Sequence, residues 1–234
     1  MEQKRYSYEE FVDIIKTLRS ENGCPWDREQ THMSLRPCMA EEAAEVAAAI
    51  RIYDRTGSYD NLREELGDVL LQVVMHSCIA EEEGLFTLDD VVSEIAEKMV
   101  RRHPHVFGDV TAETSGQVLQ NWEEIKKHEK ENRPRTETPL REIPLELPAL
   151  TRASKVLKKV DRLYEPQDDF QTSVKKLQEA AAELEGCVPA DYDEKISESV
   201  GDLLMAVSNI SRICKLSQEQ ILTDRIEKVI EKYD

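Results

Sequence analysis

The chain has 234 residues and a formal net charge of −17 at pH 7, from 31 basic and 48 acidic side chains. Proteins that bind long nucleic acids carry a basic patch or stripe, so this balance argues against a nucleic-acid polymer as partner. Hydrophobic residues make up 40% and aromatic residues 6%, with only 8 glycines, a composition that favours an all-α fold with an aliphatic core.

Three features bear on location. The N-terminal stretch MEQKRYSYEE lacks an apolar core segment, so we expect no signal peptide. No run approaches the ~20 apolar residues of a membrane span. The cysteines form no CxxC pair and are expected to be reduced, mostly buried thiols of a cytoplasmic protein. They are Cys24, Cys38, Cys78, Cys187 and Cys214.

Five helices are predicted before residue 131. The segment SYEE, Ser7 to Glu10, has the form of a capping box and begins the first helix, which the break GCPWD ends. The segment TLDD, Thr87 to Asp90, caps the fourth helix, which runs to the break RRHPH. The predicted helical ranges are about 7–21, 35–54, 59–83, 87–101 and 116–130.

A proline-rich segment divides the chain. Four prolines lie between residues 132 and 148, which is typical of a linker. Four helices are predicted after it, over residues 149–163, 170–185, 192–215 and 217–233, and no stretch keeps the period-two alternation of a strand. We therefore expect an all-α protein with an N-terminal domain at 1–131, a linker at 132–148 and a C-terminal domain at 149–234.

The two predicted domains echo each other in sequence. GDVLLQVV at residues 67–74 resembles GDLLMAVS at 201–208, and EEAAE at 41–45 resembles EAAAE at 179–183. The chain is therefore predicted to be a duplicated helical unit whose second copy has diverged.

An acidic strip lies on an alanine-rich helix. The segment MAEEAAEVAAAI, residues 39–50, places Glu41, Glu42 and Glu45 three or four residues apart on a helix that otherwise looks buried. Like charges at these spacings destabilise a helix by roughly a few tenths of a kcal/mol per pair. The strip is either an acidic face turned to solvent or a set of ligands.

A second acidic pair favours ligands. In EELGDVLLQVV, Glu65 and Asp68 share one helix face, and the short connection makes the two acidic helices antiparallel neighbours. Five carboxylates then converge inside a bundle, where unpaired charge is costly and a divalent cation offsets it. All-oxygen ligands suit Mg²⁺ or Mn²⁺. Gly67 costs up to ~1 kcal/mol in mid-helix, which indicates close approach by another helix or a ligand.

The order of these motifs resembles a known family. EExxE, a spacer of 19 residues and ExxD resemble the signature of the all-α nucleoside triphosphate pyrophosphohydrolases, and within them the chain is similar to MazG. Further matching segments are GCPWDREQT (23–31), EEEGLFTLDDV (81–91), RRHPHVFGD (101–109), NWEEIKKHE (121–129) and IPLELPALTRASKV (143–156). The resemblance covers nearly the whole chain. It implies two tandem MazG-like helical bundle units that assemble as a homodimer.

The resemblance also implies an activity. Such enzymes cleave NTP or dNTP to the monophosphate and pyrophosphate, which suits a role in nucleotide-pool housecleaning. Mg²⁺, with Mn²⁺ as a substitute, is expected to be held by five carboxylates, those of Glu41, Glu42, Glu45, Glu65 and Asp68. Glu42 is expected to act in addition as the catalytic base that takes a proton from water. No GxxxxGK[ST] motif is present, so phosphate recognition does not follow the P-loop pattern.

Basic residues are expected to hold the phosphates. Lys98 and Arg102 lie four residues apart on one helix face and match the family's phosphate-binding pair, with a catalytic as well as a substrate-binding role. Trp122 and Lys126 match a WxxxK element that closes over the nucleotide. Trp122 either stacks on a base or packs within the bundle.

The second copy departs from the family pattern. Its acidic motifs keep three positions and lose two, and a basic pair follows without a WxxxK element after it. The retained residues are Glu179, Glu183 and Asp202, the replaced positions are Ala180 and Ser199, and the basic pair is Lys228 and Lys232. We therefore expect the active site in the first copy and a structural or regulatory role for the second.

Other functions are weighed against this interpretation. A ferritin-like di-iron bundle needs two ExxH motifs, whereas the sequence has one, Glu29–His32. His103 and His105 flank a proline and are interpreted as helix-end and turn residues rather than metal ligands. A non-catalytic nucleotide-sensing or partner-binding module and an enzyme with a narrower substrate range remain alternatives.

Overall fold

The computed structural model describes residues 4–131, 137–185 and 194–233. Within these ranges the regular structure is helical and no strand occurs, so the predicted all-α class is confirmed. The chain separates into two compact units, Met1–Arg133 and Pro134–Asp234. Among the described helices, none combines the length and the apolar composition needed to cross a bilayer.

The described part of the first unit contains seven helices. Capping boxes begin three of them, in which Ser7, Thr31 and Thr87 accept from the backbone N–H three residues ahead. The cap at Thr31 starts α3 three residues before the predicted position, and a short helix occupies part of the predicted GCPWD break. The helices are α1 (Tyr8–Arg19), α2 (Pro25–Glu29), α3 (His32–Thr56), α4 (Asp60–Glu82), α5 (Leu88–Arg102), α6 (Pro104–Phe107) and α7 (Ser115–Glu131).

The core of the first unit lies towards one end of an α3–α4 hairpin. The turn after α3 is short, and Gly57 ends the helix in the left-handed conformation at a φ of 75°. The core combines α1, the beginning of α3 and the second half of α4, through Ile15, Leu35, Val74, Met75, Cys78 and Ile79. The other half of the hairpin, which carries the acidic motifs, therefore projects beyond the core.

Large apolar side chains remain exposed on the first unit. On the hairpin they include Ile50, Leu66 and Leu70, and on α5 they include Ile95 and Val100, with exposures between 40% and 53%. Contiguous exposed apolar patches are typical of interaction sites, and these side chains are candidates for one. The single chain therefore leaves helix faces available for a partner.

The described part of the second unit contains four helices of 15 to 20 residues. α10 packs against both α9 and α8, and α11 packs against α8. Its interior is partly polar, because Asn209 donates to Ser173 Oγ at 2.8 Å and Gln218 donates to Ser154 Oγ at 2.9 Å. The helices are α8 (Ala149–Leu163), α9 (Phe170–Glu185), α10 (Glu194–Ile213) and α11 (Gln218–Tyr233).

The described part of the predicted linker lies with the second unit. Ile143 is buried, and Lys159 Nζ of α8 lies 3.0 Å from the Glu142 carboxylate. Residues 132–136 of the predicted linker lie outside the described residues. The boundaries 1–131, 132–148 and 149–234 stay a prediction, and the compact units meet between residues 133 and 134.

The cysteines are less buried than predicted. The four in the described ranges are free thiols, of which Cys78 is buried, Cys24 and Cys38 are half-buried and Cys214 is exposed. Cys214 directly follows the end of α10, where the side chain faces solvent. Cys187 lies outside the described residues.

Candidate active site

The α3–α4 hairpin brings three of the predicted acidic ligands together. One carboxylate oxygen from each of Glu42, Glu45 and Glu65 lies within 4.8 Å of the other two. Asn61, one turn earlier on α4, donates to Glu65 Oε1 at 2.6 Å and orients that carboxylate. The antiparallel pairing predicted from the short connection thus places the two acidic motifs opposite each other.

The remaining two predicted ligands flank this group. Glu41 lies next to Glu42 on α3, and Asp68 lies one turn after Glu65 on α4, and both are outside the three-carboxylate group. The charge of Asp68 nevertheless acts on Glu42 and helps to raise its pKa. The structure therefore shows three carboxylates at ligand distance, with Glu41 and Asp68 outside that group.

The acidic group lies at the surface of the chain, and the expectation of a buried strip is wrong. Glu41 and Glu45 are exposed, whereas Glu42, Glu65 and Asp68 are half-buried. The physical reason is that α3 buries few side chains within the described part of the chain, because it packs mainly against α4.

Electrostatic repulsion accumulates at Glu42. Desolvation by its surroundings, a hydrogen bond with Glu45 and the neighbouring negative charges of Asp68, Glu45 and Glu65 raise the pKa of the Glu42 carboxyl above its usual value. The ionised form of Glu42 therefore costs free energy in the protein alone, and a positive ion at this position would offset that cost.

The acidic group fits a hard divalent cation. Mg²⁺ binds oxygens at about 2.0–2.1 Å, so its ligand atoms lie roughly 3 to 4 Å apart. Oxygens of Glu42, Glu45 and Glu65 within 4.8 Å need only a small contraction to reach that spacing. The set contains oxygen donors without cysteine or histidine, which disfavours softer metals.

Gly67 has open space beside it. A Cβ built on Gly67 would meet no heavy atom within 4 Å, and the same holds for Gly201 in the second copy. The expected close approach by another helix is therefore wrong for the described residues of this chain. The open space at Gly67 leaves room for a ligand, which is the other half of that expectation.

The predicted basic and aromatic residues form a second group, where α7 packs against α5. Arg102 Cζ lies 5.1 Å from the Trp122 ring centroid, and Lys126 Nζ lies 4.5 Å from it. Arg102 also binds the Glu129 carboxylate, at 2.5 Å from Nη2. Lys98, half-buried, stands one turn before Arg102 on α5. Trp122 thus packs against basic side chains of the chain itself, in line with the interpretation that it packs within the bundle. Stacking on a base stays a prediction.

Sequence reasoning missed several polar partners. Asn61 lies four residues before Glu65, which is a helical spacing, so the signal for this contact was available. Glu129 contacts Arg102 from 27 residues away and had no such signal. The pair His32 and His76 had no such signal, being 44 residues apart; their Nδ1 atoms lie 2.8 Å apart and tie α3 to α4. Burial, followed by the charge of His32, lowers the pKa of His76.

The two histidines after α5 take structural positions. His103 is the C-cap of α5, and its Nδ1 lies 2.6 Å from the Met99 carbonyl oxygen. His105 lies in the short helix α6 rather than in a turn. The predicted helix-end role is therefore confirmed for His103.

The second copy forms a different acidic environment. A cavity of about 440 Å³ is lined by Glu179, Glu183 and Asp202, the three retained family positions. Ser199, which stands at one of the two positions that have lost a carboxylate, donates to Glu183 at 3.2 Å. Lys176 lies on the same cavity and pairs with Asp168 at 2.6 Å. A lysine and a hydroxyl group thus stand among these carboxylates.

Comparison with known proteins supports the resemblance read from the motifs. A model of the MazG nucleotide pyrophosphohydrolase domain matches residues 30–107, which contain both acidic motifs, Lys98 and Arg102. The chain is 38% identical over 233 residues to the nucleoside triphosphate pyrophosphohydrolase/pyrophosphatase MazG of Thermotoga maritima, covering 100% of this chain and 86% of that protein.

Two further relatives extend the comparison. The nucleoside triphosphate pyrophosphohydrolase of Escherichia coli K12 is 38% identical over 232 residues, covering 93% of this chain and 82% of that enzyme. The uncharacterized protein YabN of Bacillus subtilis is 42% identical over 220 residues, and the match covers 93% of this chain and 44% of YabN.

An all-α fold whose paired helices carry EExxE and ExxD defines the class of helical nucleotide pyrophosphohydrolases. Within that class, the chain belongs to the MazG family. Membership implies a requirement for a divalent metal, with which the acidic group on the α3–α4 hairpin is consistent.

Proposed function

We propose that the protein is a nucleoside triphosphate pyrophosphohydrolase. It adds one water to NTP or dNTP, breaks the bond between the α- and β-phosphates and releases the monophosphate and pyrophosphate. The observation that carries this proposal is the meeting of Glu42, Glu45 and Glu65 in a chain of the MazG family. Removing unwanted nucleotides from the pool is the cellular role that suits this reaction.

The metal is Mg²⁺, with Mn²⁺ as a substitute. The residues that hold it are Glu41, Glu42, Glu45, Glu65 and Asp68. When bound, the ion neutralises charge on the phosphate oxygens and lowers the pKa of a bound water. The Asn61 contact keeps the Glu65 carboxylate turned towards the group before any ligand arrives.

Glu42 is the residue we assign to proton transfer. Its pKa is raised by desolvation and by the neighbouring carboxylates, so its conjugate acid is more stable than that of an ordinary glutamate. This direction holds for the protein without metal, and it singles out Glu42 as the carboxylate that we assign as the base. Glu42 is also one of the five ligands, and the other four acidic side chains serve as ligands only.

Lys98 and Arg102 bind the phosphates and stabilise charge during cleavage. They lie one turn apart on α5, so both can reach one phosphate chain. Trp122 and Lys126 lie beside Arg102 and contribute to nucleotide binding through the aromatic face and a second positive charge.

The enzyme assembles as a cytoplasmic homodimer. Exposed apolar side chains on the α3–α4 hairpin and on α5, such as Leu66, Leu70 and Ile95, support pairing with a second copy. The free thiols support a reducing compartment. Light scattering at micromolar concentration should give twice the chain mass of 26.9 kDa. An active species at the mass of one chain would contradict the homodimer.

Product analysis tests the proposed reaction. A screen of canonical and modified NTPs with Mg²⁺ should release pyrophosphate, and chromatography should show NMP without NDP. Accumulation of NDP and free phosphate would assign a different phosphatase activity. Tight nucleotide binding without any turnover would favour the alternative of a nucleotide-sensing module.

A further inference from the structure

The carboxylate of Glu129 joins two consecutive arginines at the end of α5. Arg102 donates to Oε2 from Nε at 3.1 Å and from Nη2 at 2.5 Å, and Arg101 donates to Oε1 from Nε at 2.8 Å. The side chains of Arg102 and Glu129 are only 13% and 19% exposed. A charge-assisted pair in which two N–H groups converge on one carboxylate oxygen, with little solvent, fixes the orientation of the guanidinium.

The aromatic ring of α7 supports the same guanidinium. Arg102 Cζ lies 5.1 Å from the Trp122 ring centroid. Trp122, Lys126 and Glu129 follow one another at spacings of four and three residues, so they share one face of α7. The family's WxxxK element is therefore attached to α5 through a carboxylate that lies three residues beyond it.

The contacts of Arg102 leave part of its donor set for a ligand. A guanidinium has five N–H donors, on Nε, Nη1 and Nη2. Glu129 binds Nε and Nη2, so the two N–H groups of Nη1 point away from that carboxylate. Paired with Lys98 one turn away, this side of Arg102 suits a phosphate oxygen.

We propose that Glu129 is a positioning residue for nucleotide binding, holding the Arg102 guanidinium against Trp122 so that its Nη1 side is presented to the phosphate chain. The inference rests on the phosphate-binding role given to Lys98 and Arg102 in the proposed function. The hydrogen bond from Arg102, aided by Arg101, lowers the pKa of Glu129 to about 2, so the holding charge persists throughout the physiological range.

Steady-state kinetics test the positioning role. Glu129→Gln keeps the size of the side chain and removes its charge, and it should raise KM at least tenfold while kcat changes less than threefold. Glu129→Asp keeps the charge on a shorter side chain and should give an intermediate KM. The matched control is Glu124→Gln on the same helix, an exposed residue that contacts Gln120 at 3.4 Å, which should leave both constants unchanged. A KM within twofold of wild type for Glu129→Gln would overturn the proposal.

A binding measurement separates this proposal from the proposed reaction. The chain has two tryptophans, so Trp26→Phe leaves Trp122 as the single tryptophan, and its selectively excited fluorescence reports on pyrophosphate titrated in the presence of Mg²⁺. Glu129→Gln in this background should weaken pyrophosphate binding at least tenfold, and Glu129→Asp is measured if the first variant does not fold. Weakened binding in a protein that cleaves no NTP would refute the reaction and support the positioning role. Two results would overturn the positioning role. One is equal pyrophosphate binding by the Trp26→Phe protein with and without a Glu129 substitution. The other is no change in Trp122 fluorescence when pyrophosphate is added to the Trp26→Phe protein.

Discussion

Individual carboxylates of the first copy are placed where they repel one another. Glu42 has a raised pKa because desolvation and the charges around it disfavour its ionised form. Such an arrangement lowers the stability of the protein alone and raises its affinity for a cation. Neutralising one of these residues should therefore weaken metal binding and raise the stability of the protein without metal.

Glu42→Gln should separate these two effects. Without metal, the variant should be at least as stable as wild type, because one repelling charge is gone. Mg²⁺ should raise the unfolding temperature of wild type much more than that of the variant, since a ligand at 100 times its Kd stabilises by about 2.7 kcal/mol. Thermal unfolding with excess Mg²⁺ or with EDTA measures this, with the exposed Glu64→Gln as control. An equal Mg²⁺ effect in both proteins would remove Glu42 from the ligand set.

Gly67→Ala tests whether a ligand uses the open space at this glycine. The new Cβ meets no atom within 4 Å, so the variant should be more stable by about 0.5–1 kcal/mol. If a ligand uses the space, pyrophosphate release should fall at the same time. Gly201→Ala, at the equivalent open position of the second copy, should gain stability without losing activity. Full activity of Gly67→Ala would show that the ligand does not need this space.

At the scale of helices, local signals predicted the elements well and their exposure poorly. The ranges of α8 and α9 match the predicted ones, and Thr87 caps α5 as TLDD indicated. Capping and helical periodicity act over a few residues, so the sequence displays them directly. The exposure of the alanine-rich strip, the His32–His76 pair and the Arg102–Glu129 pair depend on distant packing, which no local pattern encodes.

The junction of α5 and α7 should be sensitive to acid. The arginines lower the pKa of Glu129 from 4.5 to about 2, so its stabilising contribution is complete above pH 4.5 and is lost as the pH falls towards 2. Denaturant midpoints measured from pH 6 to pH 3 should therefore fall more steeply for wild type than for Glu129→Gln. Parallel curves would show that Glu129 contributes no stability through its charge.

At the scale of the whole molecule, the predicted duplication implies one complete and one incomplete set of the family's acidic positions. In the first copy, Glu42, Glu45 and Glu65 lie together. Among the influences described on Glu42, none comes from a basic side chain. In the second copy, Ala180 and Ser199 replace two carboxylates, and the cavity contains Lys176. Because Mg²⁺ needs near-octahedral oxygen ligands, the loss of two carboxylates should weaken a metal site severely.

The most direct test compares the same substitution in the two copies. Asp68→Asn and Asp202→Asn are assayed side by side for pyrophosphate release at saturating Mg²⁺ and NTP, after circular dichroism has shown that both remain helical. We expect Asp68→Asn to abolish release and Asp202→Asn to stay within a few-fold of wild type. An inactive Asp202→Asn beside an active Asp68→Asn would place the active site in the second copy and contradict the assignment to the α3–α4 hairpin.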